Sequence, residues 1–446
     1  MDIVKLLRPF KLTLLSLLPL LTINEVVFAQ TAERTNNRLN GSLFVRSIRV
    51  DNGAGADGAN EQTSETQTQY GGTLAGGWVS ELSALSLNYQ LTETHFGEDT
   101  QPDDSLLSGA SNFSLGNEST FYGFSAEHSI RRVLRNPGTS PILVSNTDDR
   151  EIYVLSPLLR THVFDTFSAE LIFNHSQVDF SSSDTNDSEV KGADLRLIRY
   201  VSPIRELSFT LGQREIEYKV IDVANYETQT LAARLDTEHR RFDYYIELGI
   251  TKIEPAVGES VSKPVVDFAL NSNLVGNRLS IFFNRTVSDS SQGNGNDSFF
   301  STEVSFDSSL TQSDQIVRSS GGVGWAYELL CARCGVGLSS GFEKAEYLNF
   351  DENDTRQVFG DINFGYQFSP ALSSQMSVRA SKTKFTSVSS LRADTDSLVG
   401  RLTLSYRVNR SLNLEFQYER DKRDSDDNIN STVVNSLSLL ATLRIQ

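Results

Sequence analysis

The sequence predicts an all-β fold: a transmembrane antiparallel up-and-down β-barrel of about 20 strands, range 18–22. Three observations predict it. Apolar and polar residues alternate with period two along most of the chain, many of the runs are 10 to 14 residues long, and the connections between them alternate short and long. Successive side chains of a strand point to opposite faces, so the alternation gives each strand one apolar and one polar face. Soluble strands average about five or six residues, whereas a tilted bilayer crossing needs about 9 to 11. Short and long connections in alternation are the periplasmic turns and extracellular loops of such a barrel.

The chain opens as a secretory signal over residues 1–29. Lys5, Arg8 and Lys11 form a basic start, an apolar stretch runs over 12–23, and Val27-Phe28-Ala29 places small residues before Gln30. The stretch is shorter than the roughly 18 to 20 residues of a spanning helix, which separates a cleaved signal from a retained anchor. Residues 30–40 are expected to form a short periplasmic segment and 41–446 the barrel.

After the signal no apolar run is long enough for a helix, and the mean hydropathy is −0.28. Transmembrane strands escape a hydropathy scan because their two faces average out. Leu85, Leu87, Tyr89 and Leu91 alternate with polar neighbours, as do Phe242, Tyr244, Ile246, Leu248 and Ile250. Leu402, Leu404 and Tyr406, then Leu412, Leu414, Phe416 and Tyr418, repeat the pattern. Segment starts fall near 41, 67, 82, 105, 120, 150, 166, 188, 206, 227, 241, 263, 278, 298, 317, 335, 356, 372, 395, 412 and 433. That odd count of 21 conflicts with the even number of a single-chain barrel. The connections also fall out of phase between Ser298 and Val317, so one segment in that stretch is surplus or missing.

Tyr89, Tyr366, Tyr406 and Tyr418 stand beside turns or loops, where a ring sits in lipid and its hydroxyl stays wet. The last strand carries Leu437, Leu439, Ala441, Leu443 and Ile445 on one face but ends in Gln446, where barrels of this type usually end in an aromatic.

The formal charge of −17 becomes −18 once residues 1–29, with three basic and two acidic groups, are removed. An acidic chain argues against a nucleic-acid partner. The acids lie mainly in loop-like runs such as Asp351-Glu352 and Asp424 to Asp427, which solvate exposed loops; the sharper alternative is divalent-cation bridging to lipopolysaccharide. The two cysteines, Cys331 and Cys334, are too few for a four-thiolate zinc site. In an oxidising periplasm they suit a disulfide across a turn, with free thiols as the alternative and no thioredoxin-like setting for redox chemistry.

Five histidines occur, His95, His128, His162, His175 and His239, with no metal-binding pair, phosphate loop or nucleophile elbow among them. His128-Ser129 and His175-Ser176 are adjacent, so within each pair the side chains face opposite sides and form no dyad. No catalytic residue, cofactor or metal is expected. Arg196, Arg234, Arg379, Arg401, Arg407, Glu415 and Glu419 alternate with apolar positions and are placed on the lumen face, either steering a solute or bracing the wall as ion-pair ladders.

Residues 153–180, 364–382 and 416–446 resemble the strand–turn–strand units, the serine–proline hairpin and the closing hairpin of the β-barrel porin 2 family and its relatives in the PEP-CTERM exosortase system. The resemblance implies an outer-membrane protein encoded beside exopolysaccharide export machinery, and no catalytic residues carry over. The expected partners are outer-membrane lipid and lipopolysaccharide, the barrel assembly machinery and polysaccharide export components. The expected function is an outer-membrane pore associated with exopolysaccharide export, against a general diffusion porin or a closed structural or adhesive barrel.

Overall fold

The computed structural model describes residues 38–53, 63–117, 119–134, 144–181, 184–220, 222–289, 314–349, 351–386, 394–426 and 431–445. Its wall opens with β1 (Arg38–Val50), β2 (Glu65–Val79), β3 (Ser83–Phe96), β4 (Asp104–Leu115) and β5 (Tyr122–Leu134). It continues with β6 (Thr147–Phe164), β7 (Phe167–Phe180), β8 (Ser188–Ser202), β9 (Arg205–Tyr218) and β10 (Tyr226–His239). Then come β11 (Phe242–Pro255), β12 (Val261–Leu274), β13 (Asn277–Asp289), β14 (Gln315–Cys331) and β15 (Cys334–Tyr347). The last five are β16 (Thr355–Gln367), β17 (Leu372–Phe385), β18 (Thr395–Arg407), β19 (Leu412–Ser425) and β20 (Thr432–Ile445).

Each strand pairs antiparallel with its neighbours in sequence. The sheet closes where β1 meets β20, from Gly41 opposite Ile445 to Val50 opposite Ser436. Closure leaves no sheet edge, which a lipid environment requires because it offers no partner for an unpaired N–H or C=O.

Twenty strands resolve the odd count of the sequence. The segment expected near Ser298 lies outside the described residues. Strands β13 and β14 pair directly, from Asn277 opposite Tyr327 to Asp289 opposite Gln315, so no strand stands between them in the wall. With that segment removed the connections fall into phase. Every even-to-odd connection is short, as at 165–166, 203–204, 240–241 and 332–333, and the first and last described residues, Arg38 and Ile445, lie on that side. β1 begins at Arg38, so residues 38–40 stand in the wall rather than in the segment 30–40 expected to be periplasmic; residues 1–37 lie outside the described ones.

The outward face is the apolar one. Leu43, Val45, Leu74, Leu91, Leu211, Leu248, Ile250, Ile362 and Leu439 are all exposed there, and Trp78, Tyr122, Trp325, Tyr366 and Tyr406 rim it at the short-turn side. Ile246 stands midway along the outward row of β11, Phe242 to Ile250. Ile246→Arg is therefore expected to destabilise the barrel by about 2–4 kcal/mol. Urea unfolding in lipid vesicles measures this; an unchanged midpoint would place Ile246 away from the hydrocarbon.

Candidate functional site

Polarity along the inward face changes with height. From the short-turn side to the middle of the wall the lumen is polar and charged, and many of its charges are paired. On β6 to β9 the groups alternate in sign: Arg160 Nε reaches Glu170 at 2.6 Å, Arg196 lies 3.9 Å from Glu170, and Arg196 Nη2 reaches Glu206 at 2.8 Å. Further round, Arg234 holds Asp236 at 2.8 Å and approaches Glu247 at 3.8 Å, while the Tyr245 hydroxyl donates to Asp267 at 3.2 Å. On the closing side Arg401 Nε reaches Glu419 at 2.7 Å, Ser405 donates to Glu415 at 3.3 Å, and Arg46 donates to Ser438 at 3.0 Å.

All seven charged residues assigned to the lumen from sequence face it, since their immediate neighbours carry the outward apolar row. Of these, Arg196, Arg234 and Arg401 join ion pairs, Glu419 and Glu415 accept from the opposite strand, and Arg379 lies over the Phe359 ring at 5.1 Å. Arg407 ends β18 at the short-turn side, away from the paired belt. The ladder reading holds for most of the set. Pairing also explains why the charges survive on a wall of limited hydration, because a guanidinium stripped of its partner there would cost several kcal/mol.

At the long-loop side the two faces exchange character. Inward residues become apolar and buried: Val190, Ile216, Tyr218, Tyr226 and Ile253 form one cluster, Ile48, Val50 and Val434 a second, and Val133, Val178 and Phe180 a third. Outward residues at the same height become charged and pair across strands, as in Lys191 with Glu217 (3.0 Å) and Lys382 with Asp396 (2.7 Å), or along one strand, as in Lys344 with Glu346 (2.7 Å). This outer collar thus has the pattern of a water-soluble barrel, apolar inside and charged outside. It stands above the outward apolar band, at the long-loop side.

The loops at this rim share a local motif that alternation alone does not reveal. Three strands end in an inward aromatic followed by x3-Asp-x2-Asp/Asn: Phe180 to Asp187, Tyr218 to Asn225 and Tyr347 to Asp354. The last side chain accepts the N–H of the aromatic at 2.8, 2.7 and 2.7 Å, and the residues between form 3-10 turns over Asp184–Asn186, Asp222–Ala224 and Asp351–Asn353. Its signal in the sequence is a repeat of seven-residue spacing, masked because the acids read as simple loop solvation. One such loop leans inward: Gln315 Nε2 at the start of β14 donates to the Ala224 carbonyl at 3.2 Å. Four strand spacings separate β10 from β14, roughly 20 Å along the wall.

The histidines supply no joint site. His128 faces outward and Ser129 inward, and His175 and Ser176 divide likewise. His128 is bonded to Glu151 at 2.8 Å and to the Tyr89 hydroxyl at 2.6 Å, stacked between Tyr89 and Tyr153, a polar pin at the upper margin of the apolar band. His95 pairs with Asp103, and His239 stacks on Phe242. Among the described residues no group of three or more His, Cys, Asp or Glu is placed to hold a metal ion. Cys331 and Cys334 face each other across the β14–β15 turn with Cα atoms 5.1 Å apart, within the span of a disulfide.

No protein-family model and no curated protein matches the chain. Among solved structures it is similar to OccK2 (OpdF) of Pseudomonas aeruginosa at 10% identity, covering 91% of this chain and 97% of that one, with a TM-score of 0.39. It is similar to the ferric-catecholate import receptor Fiu of E. coli K12 at 11% identity, 92% and 82% coverage and a TM-score of 0.43. It is also similar to the FrpB iron transporter of Neisseria meningitidis at 9% identity, 92% and 83% coverage and a TM-score of 0.44. The barrel assignment rests on this chain's own strand pairing.

Two expectations follow. Glu170 is buried and holds Arg160 at 2.6 Å, while Arg196 keeps Glu206, so Glu170→Ala strands the Arg160 Nε and should cost about 3 kcal/mol in unfolding free energy, whereas the double change with Arg160→Met should recover part of it. Equal losses in the two variants would show that the unpaired Arg160 carries no penalty. For the cysteines, maleimide labelling of the unfolded mature protein should add two labels only after reduction; two labels without reductant would show free thiols.

Proposed function

We propose that the protein is a non-enzymatic pore of the bacterial outer membrane, and that the cargo it serves is an exopolysaccharide chain during export. The observation that carries the pore reading is the inward face of a closed 20-strand wall that is polar and ion-paired through its middle. Barrels of 16 to 18 strands already leave an aqueous channel, so about 20 strands enclose more than side chains alone fill. The resemblance of three stretches to barrels of exopolysaccharide systems supports the finer reading. So does the charge pairing: a lumen without a strong field of either sign suits a hydroxyl-rich chain better than a small ion selected by charge.

A second reading, a closed barrel, is favoured by the outer collar, where apolar clusters line the inner face and the 222–225 loop is bonded to Gln315 of β14. Single-channel recording of the refolded mature protein in a planar bilayer separates the two. Large steady steps are expected, blocked by the host's own polymer. Unblocked steps would favour general diffusion, and silence from a barrel shown to be folded would favour the closed form.

A further inference from the structure

We infer that the outer face of β15 to β17 carries a seat for a phosphorylated lipid headgroup, built from Lys344, Arg356 and Lys384 at the top of the apolar band. The seat depends on the barrel standing in the outer membrane and not on what its lumen carries.

Register builds the seat. Lys344 stands directly opposite Arg356, and Arg356 directly opposite Lys384, so three cations are successive cross-strand partners on one face. That face is the outer one, because Ala345 beside Lys344 packs inward with Ile316 and Tyr347. On the other side of Lys344 the row runs through Ser319 to Arg285. Ser319 is buried, so the open part of the row is Lys344 to Lys384, of which Arg356 and Lys384 are exposed. Like charges directly opposite each other on neighbouring strands are destabilising.

The carboxylates nearby do not balance this row. Glu346 is shared by Lys344 at 2.7 Å and Arg285 at 3.4 Å, and Asp394 lies 3.9 Å from Lys384. Asp396 is taken up by Lys382 at 2.7 Å. Arg356, at the centre, has no carboxylate within ion-pair reach among the described residues. The acid nearest to it along the chain, Asp354, accepts the Tyr347 N–H at 2.7 Å instead. A chain of formal charge −17 thus keeps a cationic row in excess on its surface.

Height selects the ligand. Two residues below Arg356 on the same face of β16 stands Val358, followed by Ile362 and Phe364, all exposed. Leu338 on β15 and Met376 on β17 continue this apolar surface. The row therefore stands about 7 Å, two strand residues, above Val358. It lies on the long-loop side, which in such barrels is the cell exterior. A lipid whose acyl chains lie against Val358 and Ile362 brings its headgroup to the row. A phosphate there accepts two N–H groups from the guanidinium and one from an ammonium on either side. The three cations span two strand spacings, about 10 Å, which suits a headgroup carrying two phosphates.

Elsewhere in the collar the sign is reversed. On β9 to β11 Glu215 stands opposite Glu227, and Glu227 opposite Glu254. Lysines serve this acidic row from its edges, Lys191 on Glu217 at 3.0 Å and Lys252 on Glu254. The outer collar is thus divided, and a phosphorylated lipid is held on one arc.

The test is native mass spectrometry of the folded, detergent-solubilised mature protein with diphosphoryl lipid A. Bound lipid is expected to persist where a dephosphorylated lipid of equal acylation does not. Lys344→Gln with Arg356→Gln and Lys384→Gln should weaken binding about a hundredfold, because each basic side chain beside an anionic lipid is worth about a fivefold gain. Arg356→Lys should keep most of it. Lys191→Gln with Lys252→Gln, on the acidic arc, should leave it unchanged, with heat-modifiable gel mobility confirming the folded barrel in each case. Undiminished binding in the triple variant, or an equal loss in the Lys191 and Lys252 control, overturns the seat. Displacement of the lipid by an equal concentration of inorganic phosphate overturns it in favour of a free-anion site. A dimer mass that the triple variant loses overturns it in favour of a second copy of this chain. Because binding is read without current, loss of the seat leaves the pore standing, and lipid held by a silent barrel does the reverse.

Discussion

Everything in this molecule depends on the closure of β1 onto β20. In lipid an unpaired backbone N–H or C=O costs several kcal/mol, and an open sheet of this size would expose two whole edges. The ten-residue pairing from Gly41 to Val50 removes both. Once the ring is closed, the radius is set by strand number, and each strand has only two faces to divide between lipid and lumen. The alternation in the sequence is the record of that division. A register slip of one residue anywhere would send an apolar row into the lumen and a charged row into lipid, so the pairing is strongly specified.

That constraint also explains the exchange of faces at the rim. The same period-two alternation runs to the end of strands such as β7 and β9, but its phase relative to hydrophobicity reverses: Phe173 faces lipid, while Val178 and Phe180 face the lumen. The strands are longer than the hydrocarbon is thick, so their last residues leave it. Above the lipid the wall must satisfy the ordinary rule for water, apolar inside and charged outside. The clusters around Ile253 and Val178 are that rule applied to a ring. The aromatic-to-Asp/Asn loops complete it, because each folds the strand end inward and provides for the N–H it leaves behind.

Much of this was legible in the sequence. Alternation in Phe242 to Ile250 or Leu412 to Tyr418 gave strand type and facing directly, because lipid imposes the strictest pattern any environment imposes. The lumen row of Arg196, Arg234, Arg401, Glu415 and Glu419 followed from the same parity. Two things were not legible. The segment near Ser298 alternates as well as its neighbours do, and only the pairing of Asp289 with Gln315 shows that β13 and β14 are direct neighbours in the wall. The join of Phe282, Gly322, Gly341 and Phe359 was invisible because it is a matter of register between four strands, spanning residues 282 to 359. Parity tells which face a residue takes; register alone tells what stands beside it.

The lumen then shows how a wall is made wet without being given a strong charge of either sign. Along β6 to β12 guanidinium groups are set against carboxylates, so the surface offers hydrogen bonds while its long-range field largely cancels. Along β13 to β16 the side chains beside the backbone are small, with Gly322 opposite Gly341 and the Phe282 and Phe359 rings beside them. The paired arc arises from the same register that closes the barrel: Glu170 stands directly between Arg160 and Arg196 as cross-strand partner of both, and a slip of one residue would take it out of the lumen and away from them.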